Sequence, residues 1–357
     1  MPRCEEVGES MPDIAGIGIL VGFIAQAFLS LVLSAWVFFL SKHGDLELKH
    51  QEGSLEHMIE SKRLEFVSDV LMVGNDIQML TGIAYMVTAF TFVKTIDLYH
   101  LHLMYDTVSF VGVSSAAALV CWSFCAAKIK SISSKYPPRH PTKVPRISRW
   151  SPKHRVTYVF AILFLALTIL LEVRLNEWSD SENSEEPKPG RCYYTNGTST
   201  PSAGHPWTDK TYVGITAGWL LLVMASAIFG RSERRKIILI LAFLQFPVHL
   251  YMTIALRTAN QEHLSGEEGE NGWDFGQTTA ILLLGVTINE LVSKSLGFHK
   301  ETKALRREAR GYSSLPDALA AEEEGKGSVR QGDSREVNLN QQQGQHQRQQ
   351  TPATNGR

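Results

Sequence analysis

The residues best placed for chemistry are carboxylic acids inside long apolar segments of the sequence. Asp76 and Glu290 are two of these, and Asn75 and Gln78 lie beside Asp76. Apolar surroundings disfavour the charged form of a carboxylic acid, so such a group stays protonated and can donate its proton to a substrate. Ionisable side chains within such segments are the best pointers to function in this sequence, and Asp76 and Glu290 are the first candidates. For both acids the alternative is a helix–helix hydrogen bond or a carboxylate that reaches the membrane surface.

A third candidate acid, Asp106, lies near the start of another apolar segment. His102 precedes it by four residues and shares its helix face, whereas His100 points to a different face. A metal site would need a further ligand such as His249, and the spacing along the chain does not bring that residue to Asp106. We predict no metal and no other cofactor.

The sequence lacks the signatures of several common catalytic sites. It contains no G-x-S-x-G turn, no glycine-rich phosphate loop, no H-E-x-x-H helix, no paired C-x-x-C and no D-D-x-x-D diphosphate site. Hydrolase, ATPase, zinc-protease and magnesium–diphosphate chemistry therefore have no support from motifs.

Seven apolar blocks must position these residues. Each block has about 20 residues, the length at which a helix crosses about 30 Å of hydrocarbon. We predict an all-α polytopic transmembrane bundle of about seven helices, with spans at 15–40, 71–92, 104–127, 158–175, 211–229, 237–256 and 275–296. The polar stretch 41–69 predicts an amphipathic helix at the membrane interface, broken near Gly53.

Lysine and arginine accumulate on one side of these blocks. Segment 131–155 carries seven basic residues and no acid, and the connection at 230–236 and the segment after 299 are also basic. Segments 97–103 and 258–274 contain no lysine or arginine. Because cytoplasmic loops carry the basic excess, we predict an N-terminus outside or in the lumen and a C-terminus in the cytosol. Nothing in the sequence points to nucleic acid as a partner.

Two further features agree with this orientation. Asn196 begins an N-glycosylation sequon, Asn-Gly-Thr, in a segment that the charge rule places outside. Cys4 and Cys192 fall in the same oxidising compartment, where unpaired thiols are unusual, so we predict a disulfide between them.

These observations define three regions. Residues 1–13 form a short extracytoplasmic N-terminus, 14–298 the seven-span membrane domain, and 299–357 a basic and then Gln-rich cytosolic tail, predicted to be disordered from about Gly311. The protein is therefore expected to be a multi-pass integral membrane protein of the endoplasmic reticulum or plasma membrane.

Three motifs mark a resemblance to a known group of proteins. They are P-D-I-A-G-I-G at 12–18, N-D-I-Q-M-L-T-G-I-A-Y at 75–85 and D-L-Y-H-L-H at 97–102. Over about residues 12–296 the chain resembles a large group of fungal polytopic membrane proteins, some of them encoded in biosynthetic clusters for indole diterpenes of the paxilline type. A subset of that group is linked to non-canonical terpene cyclisation within the membrane.

The resemblance implies a function in fungal secondary metabolism, as a metal-independent, proton-initiated terpene cyclase. Its substrate would be a lipophilic small molecule, a polyprenyl epoxide or alkene, and its partners membrane lipids and other membrane-bound biosynthetic enzymes. Asp76, and after it Glu290, would be the catalytic acid, with Asn75 and Gln78 as orienting partners and Asp106 as the alternative acid. The competing hypothesis is a non-catalytic seven-span receptor-like or scaffold protein. A transporter is disfavoured, because the sequence shows no internal repeat.

Overall fold

A computed structural model describes residues 4, 7–50, 53–132, 151–181, 190–194, 206–229, 235–265 and 270–327 of the chain. The predicted glycosylation site, Asn196, lies outside these residues, as does the tail from 328 to 357. Long helices make up almost all of what is described. In chain order the elements are β1 (Gly8–Glu9), α1 (Pro12–Ala15), α2 (Ile17–Lys42), α3 (Leu55–Thr91), α4 (Leu98–Ile132), α5 (Pro152–Ser181), α6 (Pro206–Phe229), α7 (Arg235–Asn260), β2 (Leu264–Ser265) and α8 (Phe275–Gly327).

Within the described ranges, seven helical segments are long and apolar enough to cross a membrane. They are α1 with α2, and then α3 to α8, so the predicted all-α, seven-span architecture is confirmed. Each predicted span lies within one of these segments to within one residue. The chain is therefore a multi-pass integral membrane protein, and we refer to the side at which α2 begins as its N-terminal side.

The helix before the second span differs from the prediction. No separate interfacial helix is broken at Gly53, because α3 starts directly after that glycine and Ser54 and continues to Thr91. The Ser54 Oγ accepts a hydrogen bond from the backbone N–H of His57 at 3.1 Å, which caps the helix start. Apolar residues in 55–69 therefore extend a membrane helix toward its N-terminus.

The last helix also runs further than the sequence predicted. It continues to Gly327, so residues 311–327 are helical where we expected a disordered tail. Leu, Ala and Glu at 318–324 are strong helix formers, and a helix already under way needs no new nucleation to include them.

Helix α4 is the centre of the bundle. Within its most apolar stretch 83% of the residues are buried, against 6% for α8. Small residues allow this, because neighbouring helices approach closely where side chains are short. A Cβ atom on Gly112 of α4 would lie only 2.8 Å from the side chain of Leu220 in α6.

Three contacts tie the connections together on the N-terminal side. Cys4 and Cys192 form a disulfide, with Cα atoms 5.7 Å apart. Strand β1 pairs in parallel with β2, aligning Gly8 with Leu264. The Asp97 Oδ2 accepts a hydrogen bond from the backbone N–H of Glu9 at 3.1 Å. Segments that are far apart in sequence thus cover one end of the bundle as a unit.

Candidate functional site

Asp76 and Glu290, the first two predicted acids, do not lie in an apolar enclosure. The Asp76 carboxylate is 52% exposed and forms an ion pair with Lys153 of α5. Glu290 is 44% exposed, and its Oε1 lies 4.0 Å from the Nζ of Lys294, one turn further along α8. Our expectation of two enclosed acids is wrong on this point, because each carboxylate is largely exposed and lies near a lysine.

Asn75 and Gln78, the predicted orienting residues, face away from Asp76. Both are buried, and the Gln78 Oε1 accepts a hydrogen bond from the Ser114 Oγ of α4 at 3.2 Å. Neighbouring residues of a helix point about 100° apart, so a buried Asn75 and Gln78 leave Asp76 on another face. Gln78 instead joins α3 to α4.

Asp106, the third predicted acid, is fully buried between α4, α6 and α7. Its Oδ1 accepts a hydrogen bond from the Tyr212 hydroxyl at 2.6 Å and lies 2.8 Å from His249 Nδ1. The other nitrogen of His249 lies 3.2 Å from Gln245 Nε2, which donates to the carbonyl of Thr216 at 2.9 Å. Asp106, Gln245 and His249 are fully buried, whereas Tyr212 is partly buried.

The same chain of contacts continues from Asp106 toward the N-terminal side. His102 Nε2 lies 3.7 Å from Asp106 Oδ2, and His102 Nδ1 lies 2.8 Å from the hydroxyl of Tyr193. The carboxylate of Asp209, in the first turn of α6, lies close enough for its charge to act on Tyr193. Burial, followed by the Asp209 charge, raises the pKa of Tyr193 well above its usual range, so this phenol remains a hydrogen-bond donor.

We call the whole set of linked side chains the Asp106 network. Its members are His102, Asp106, Tyr193, Asp209, Tyr212, Gln245 and His249.

His100 belongs to a separate buried cluster. This agrees with the prediction that it lies on a different helix face from His102 and Asp106. Its Nε2 lies 3.0 Å from Glu270 Oε1, and the hydroxyl of Tyr99 donates to Glu270 Oε2 at 3.1 Å. Glu270 lies in the connection between α7 and α8 and is fully enclosed. The cluster therefore anchors this connection to α4.

A groove of about 350 Å³ opens between α2, α3 and α8. Its walls are mostly apolar, and the rings of Phe23 and Tyr85 lie 5.5 Å apart along it. This volume is in the range of small-molecule sites, which are about 300–1,000 Å³. Asp13 and Gly276 lie at its end on the N-terminal side.

Two carboxyl groups lie near this end of the groove. Asp13 lines the groove and is itself exposed, and Asp274, which is partly buried, lies close enough for its charge to act on Asp13. Asp274 Oδ1 caps α8 by accepting the backbone N–H of Gln277 at 3.1 Å, and Asp13 Oδ1 accepts that of Gly276 at 3.1 Å. Two neighbouring carboxyl groups repel each other when both are ionised, and one proton shared between them removes that repulsion.

The glycines of the first motif, 12–18, have a structural role beside this groove. A Cβ atom on Gly18 would lie 2.9 Å from the Gln277 side chain, and one on the nearby Gly22 would lie 3.1 Å from Ala280. The Gly18 N–H donates to Gln277 Oε1 at 3.0 Å. Small residues on α2 therefore set how closely α8 approaches.

The residues that our prediction missed carry only a partial signal in the sequence. Asp13 belongs to the first motif, and Asp274 directly precedes a predicted span, but both resemble ordinary flanking charges. Tyr212 and Glu270 carry no motif at all. Only the packing of distant segments brings each of these residues to its partner.

The histidines and carboxylates do not converge on a metal position. Across the described ranges, no group of three or more His, Cys, Asp or Glu side chains is arranged to hold a metal ion. In particular, His100 turns away from His102 and Asp106 to bind Glu270.

Comparison with known proteins finds no match: no protein-family model, no curated protein and no solved structure matches this chain. A function must therefore be inferred from the geometry of its own side chains.

Proposed function

We propose that this protein is a membrane-embedded acid catalyst that cyclises a lipophilic, prenyl-derived substrate of fungal secondary metabolism. The observation that carries the proposal is the carboxyl pair Asp13–Asp274 at the end of an apolar groove. It replaces Asp76 and Glu290 as the proton source, because neither of those acids lines the groove.

The walls of the groove suit a carbocation intermediate. Phe23 and Tyr85 present aromatic rings to the cavity, and ring faces attract cations. Apolar neighbours such as Ile19 and Leu283 keep water from the reacting carbons, where it would trap the cation.

Proton transfer can begin and end at the same pair. The shared proton of Asp13 and Asp274 passes to an epoxide oxygen or alkene carbon, an internal alkene closes the ring, and the final cation returns a proton to the pair. The overall reaction is an isomerisation, so atoms and charge balance. After the transfer, the Gly276 N–H at the start of α8 stabilises the Asp13 carboxylate.

The test is product formation by microsomes from cells that express the chain, fed an epoxidised prenyl-indole. Asp13→Asn should lower the rate by at least about 100-fold, the usual contribution of a general acid. Asp76→Asn and Glu290→Gln are matched controls and should retain activity. Full cyclisation by the Asp13→Asn protein would exclude this acid, and binding without conversion by the wild type would favour the receptor-like or scaffold hypothesis.

We further propose that the N-terminal side faces the lumen or the exterior and that the C-terminus is cytosolic. The disulfide Cys4–Cys192 supports this, because disulfides persist in oxidising compartments, and the basic segments of the sequence support it independently. In this orientation Asn196 should carry a glycan that endoglycosidase removes. An Asn196→Gln variant should then migrate like the enzyme-treated wild type. If the untreated wild type and the untreated variant migrate equally, Asn196 carries no glycan, and this would count against the orientation.

A further inference from the structure

A small polar cavity lies between α2, α3 and α8, next to the groove. It has room for about one water-sized group, because the centre of such a group can move through only about 10 Å³. Four of its lining side chains are polar, and these are Gln26, Ser30, Asn75 and Thr287. The other lining residues in the described part of the chain are apolar, and none of them is charged.

The lining residues place this polar cavity at the inner end of the groove, away from Asp13. Gln26 lines both the groove and the cavity. On α8 the groove is lined as far as Leu283, and Thr287 follows one helical turn later. From Gly276 to Thr287 the helix rises about 16 Å, at about 1.5 Å per residue. A molecule that reaches from Asp13 to the cavity is therefore long, and most of it lies against apolar walls.

Two polar atoms at this cavity have no partner. Ser30 Oγ and Asn75 Oδ1 form no hydrogen bond with any described residue, although the two side chains are only 5% and 7% exposed. Buried polar groups are nearly always hydrogen-bonded, and leaving them unpaired costs free energy. The Thr287 hydroxyl, by contrast, donates to the carbonyl of Leu283 at 2.9 Å. Ser30 and Asn75 are thus the side chains available to a bound group.

Helix packing alone does not account for Ser30 and Asn75. Buried polar residues of membrane helices commonly form hydrogen bonds across a helix contact, as Ser114 and Gln78 do at 3.2 Å. Ser30 of α2 and Asn75 of α3 line the same cavity, but neither of their orphaned atoms takes part in such a bond. The space between the two helices therefore suits a polar group that another molecule supplies.

We propose that the polar cavity is a hydrogen-bonding subsite that takes the hydroxyl group of a lipophilic alcohol whose hydrocarbon part lies in the groove. The hydroxyl donates to Asn75 Oδ1 and accepts from the Ser30 hydroxyl, so a single group satisfies both buried atoms. The group is uncharged, because no lining side chain would neutralise a charge in this enclosure. This role rests on the proposed function, in that the groove takes a lipophilic molecule, and it favours prenyl substrates that carry a hydroxyl group remote from the carboxyl pair.

The experiment measures how well farnesol and farnesyl methyl ether displace a fluorescent lipophilic probe from the full chain in phospholipid nanodiscs. The two compounds share one hydrocarbon chain, but the ether lacks the hydroxyl proton and is larger by a methyl group. The wild type should bind farnesol about tenfold more tightly than the ether, the effect of satisfying buried hydrogen-bonding groups. Ser30→Ala and Asn75→Leu should each lower this preference by about threefold or more, because each removes one partner of the hydroxyl.

Ser115→Ala is the matched control for Ser30→Ala. The Ser115 Oγ is also buried and has no partner among the described residues, but Ser115 belongs to α4 and lines neither the cavity nor the groove. Its replacement should leave the preference for farnesol unchanged. Ser30→Ala removes only one oxygen atom, so it still provides the test if Asn75→Leu fails to fold.

Two results would overturn the subsite. One is equal affinity of the wild type for the two compounds, and the other is a preference for farnesol that neither Ser30→Ala nor Asn75→Leu lowers. Cyclised product together with either result would leave the proposed function standing without this subsite. A preference that both variants lower, without any cyclised product, would support the subsite and contradict only the catalytic role of the groove.

Discussion

Asp106 and Asp76 are both membrane carboxylates, but they differ in how many groups hold them. Asp106 is fully buried and has partners on α6 and α7, whereas Asp76 is half exposed and has one lysine. Hydrogen bonds to a charged group contribute about 1.5–3 kcal/mol, and Asp106 accepts such bonds from buried partners. An exposed ion pair contributes only about 0–1 kcal/mol.

We therefore expect Asp106→Asn to lower the stability of the protein by about 1.5–3 kcal/mol, because its neutral amide accepts the same hydrogen bonds less strongly. Asp76→Asn is the matched control and should change it by less than about 1 kcal/mol. Thermal unfolding of both variants in the same detergent, followed by circular dichroism, provides the comparison. Equal midpoints for the two variants would show that the Asp106 network does not stabilise the bundle.

At the residue scale, the sequence identified candidates but not their surroundings. It marked Asp76, Asp106 and Glu290 correctly as carboxylates within spans. The direction in which each points depends on helix rotation, which a nearly uniform apolar pattern hardly defines. Asp106 is buried because α4 is surrounded by helices. Asp76 is exposed because α3 has a face outside the bundle.

Among the elements, the contact between α2 and α8 depends on glycines. A side chain larger than hydrogen at Gly22 would press on Ala280, whereas a Cβ atom at Gly218 of α6 meets nothing within 4 Å. Gly22→Leu should therefore destabilise the protein by about 1–3 kcal/mol through overpacking. Thermal unfolding in detergent measures this loss, and Gly218→Leu is the control that should have little effect.

Gly22→Leu should also reshape the groove, because Gly22 and Ala280 both line it. Binding of a fluorescent lipophilic probe to the two variants would show this. Reduced binding in Gly22→Leu with unchanged binding in Gly218→Leu is the expected result, and reduced binding in both would point to a general loss of folding.

Element type was far easier to predict than element length. Seven blocks of about 20 apolar residues allow little else than seven membrane helices. The polar helical extensions at 55–69 and after 296 have no such signal. Hydropathy shows which residues can lie in the hydrocarbon of the bilayer, but it does not show where a helix begins or ends. The Ser54 cap appears only in the structure, and a cap does not show whether a helix continues into the membrane.

The whole molecule is closed on its N-terminal side by the disulfide between Cys4 and Cys192, which are separated by 188 positions in sequence. Cross-links of distant residues typically stabilise proteins by about 2–4 kcal/mol. Reductant should therefore lower the unfolding temperature of the wild type. A Cys4→Ser, Cys192→Ser double variant should start from that lower value and show no response to reductant, and a reductant effect of equal size in both proteins would contradict the prediction.

At this scale the sequence predicted topology but not assembly. Hydropathy, charge and cysteine placement supplied the number of spans and the expected pairing of Cys4 with Cys192. The order of helices around α4 and the groove beside α8 arise from side-chain fit, for example of Gly112 against Leu220. A single sequence does not show which helix surfaces contact each other.

The central position of α4 has a consequence for how the protein is made. This helix carries His100, His102 and Asp106, but their partners Tyr212, His249 and Glu270 are translated more than 100 residues later. A nascent α4 therefore meets the lipid bilayer before these partners exist. It must wait at the insertion machinery, or against α2 and α3, until α7 and the connection after it have emerged from the ribosome. Chains that stop before residue 270 are thus expected to be captured by quality control.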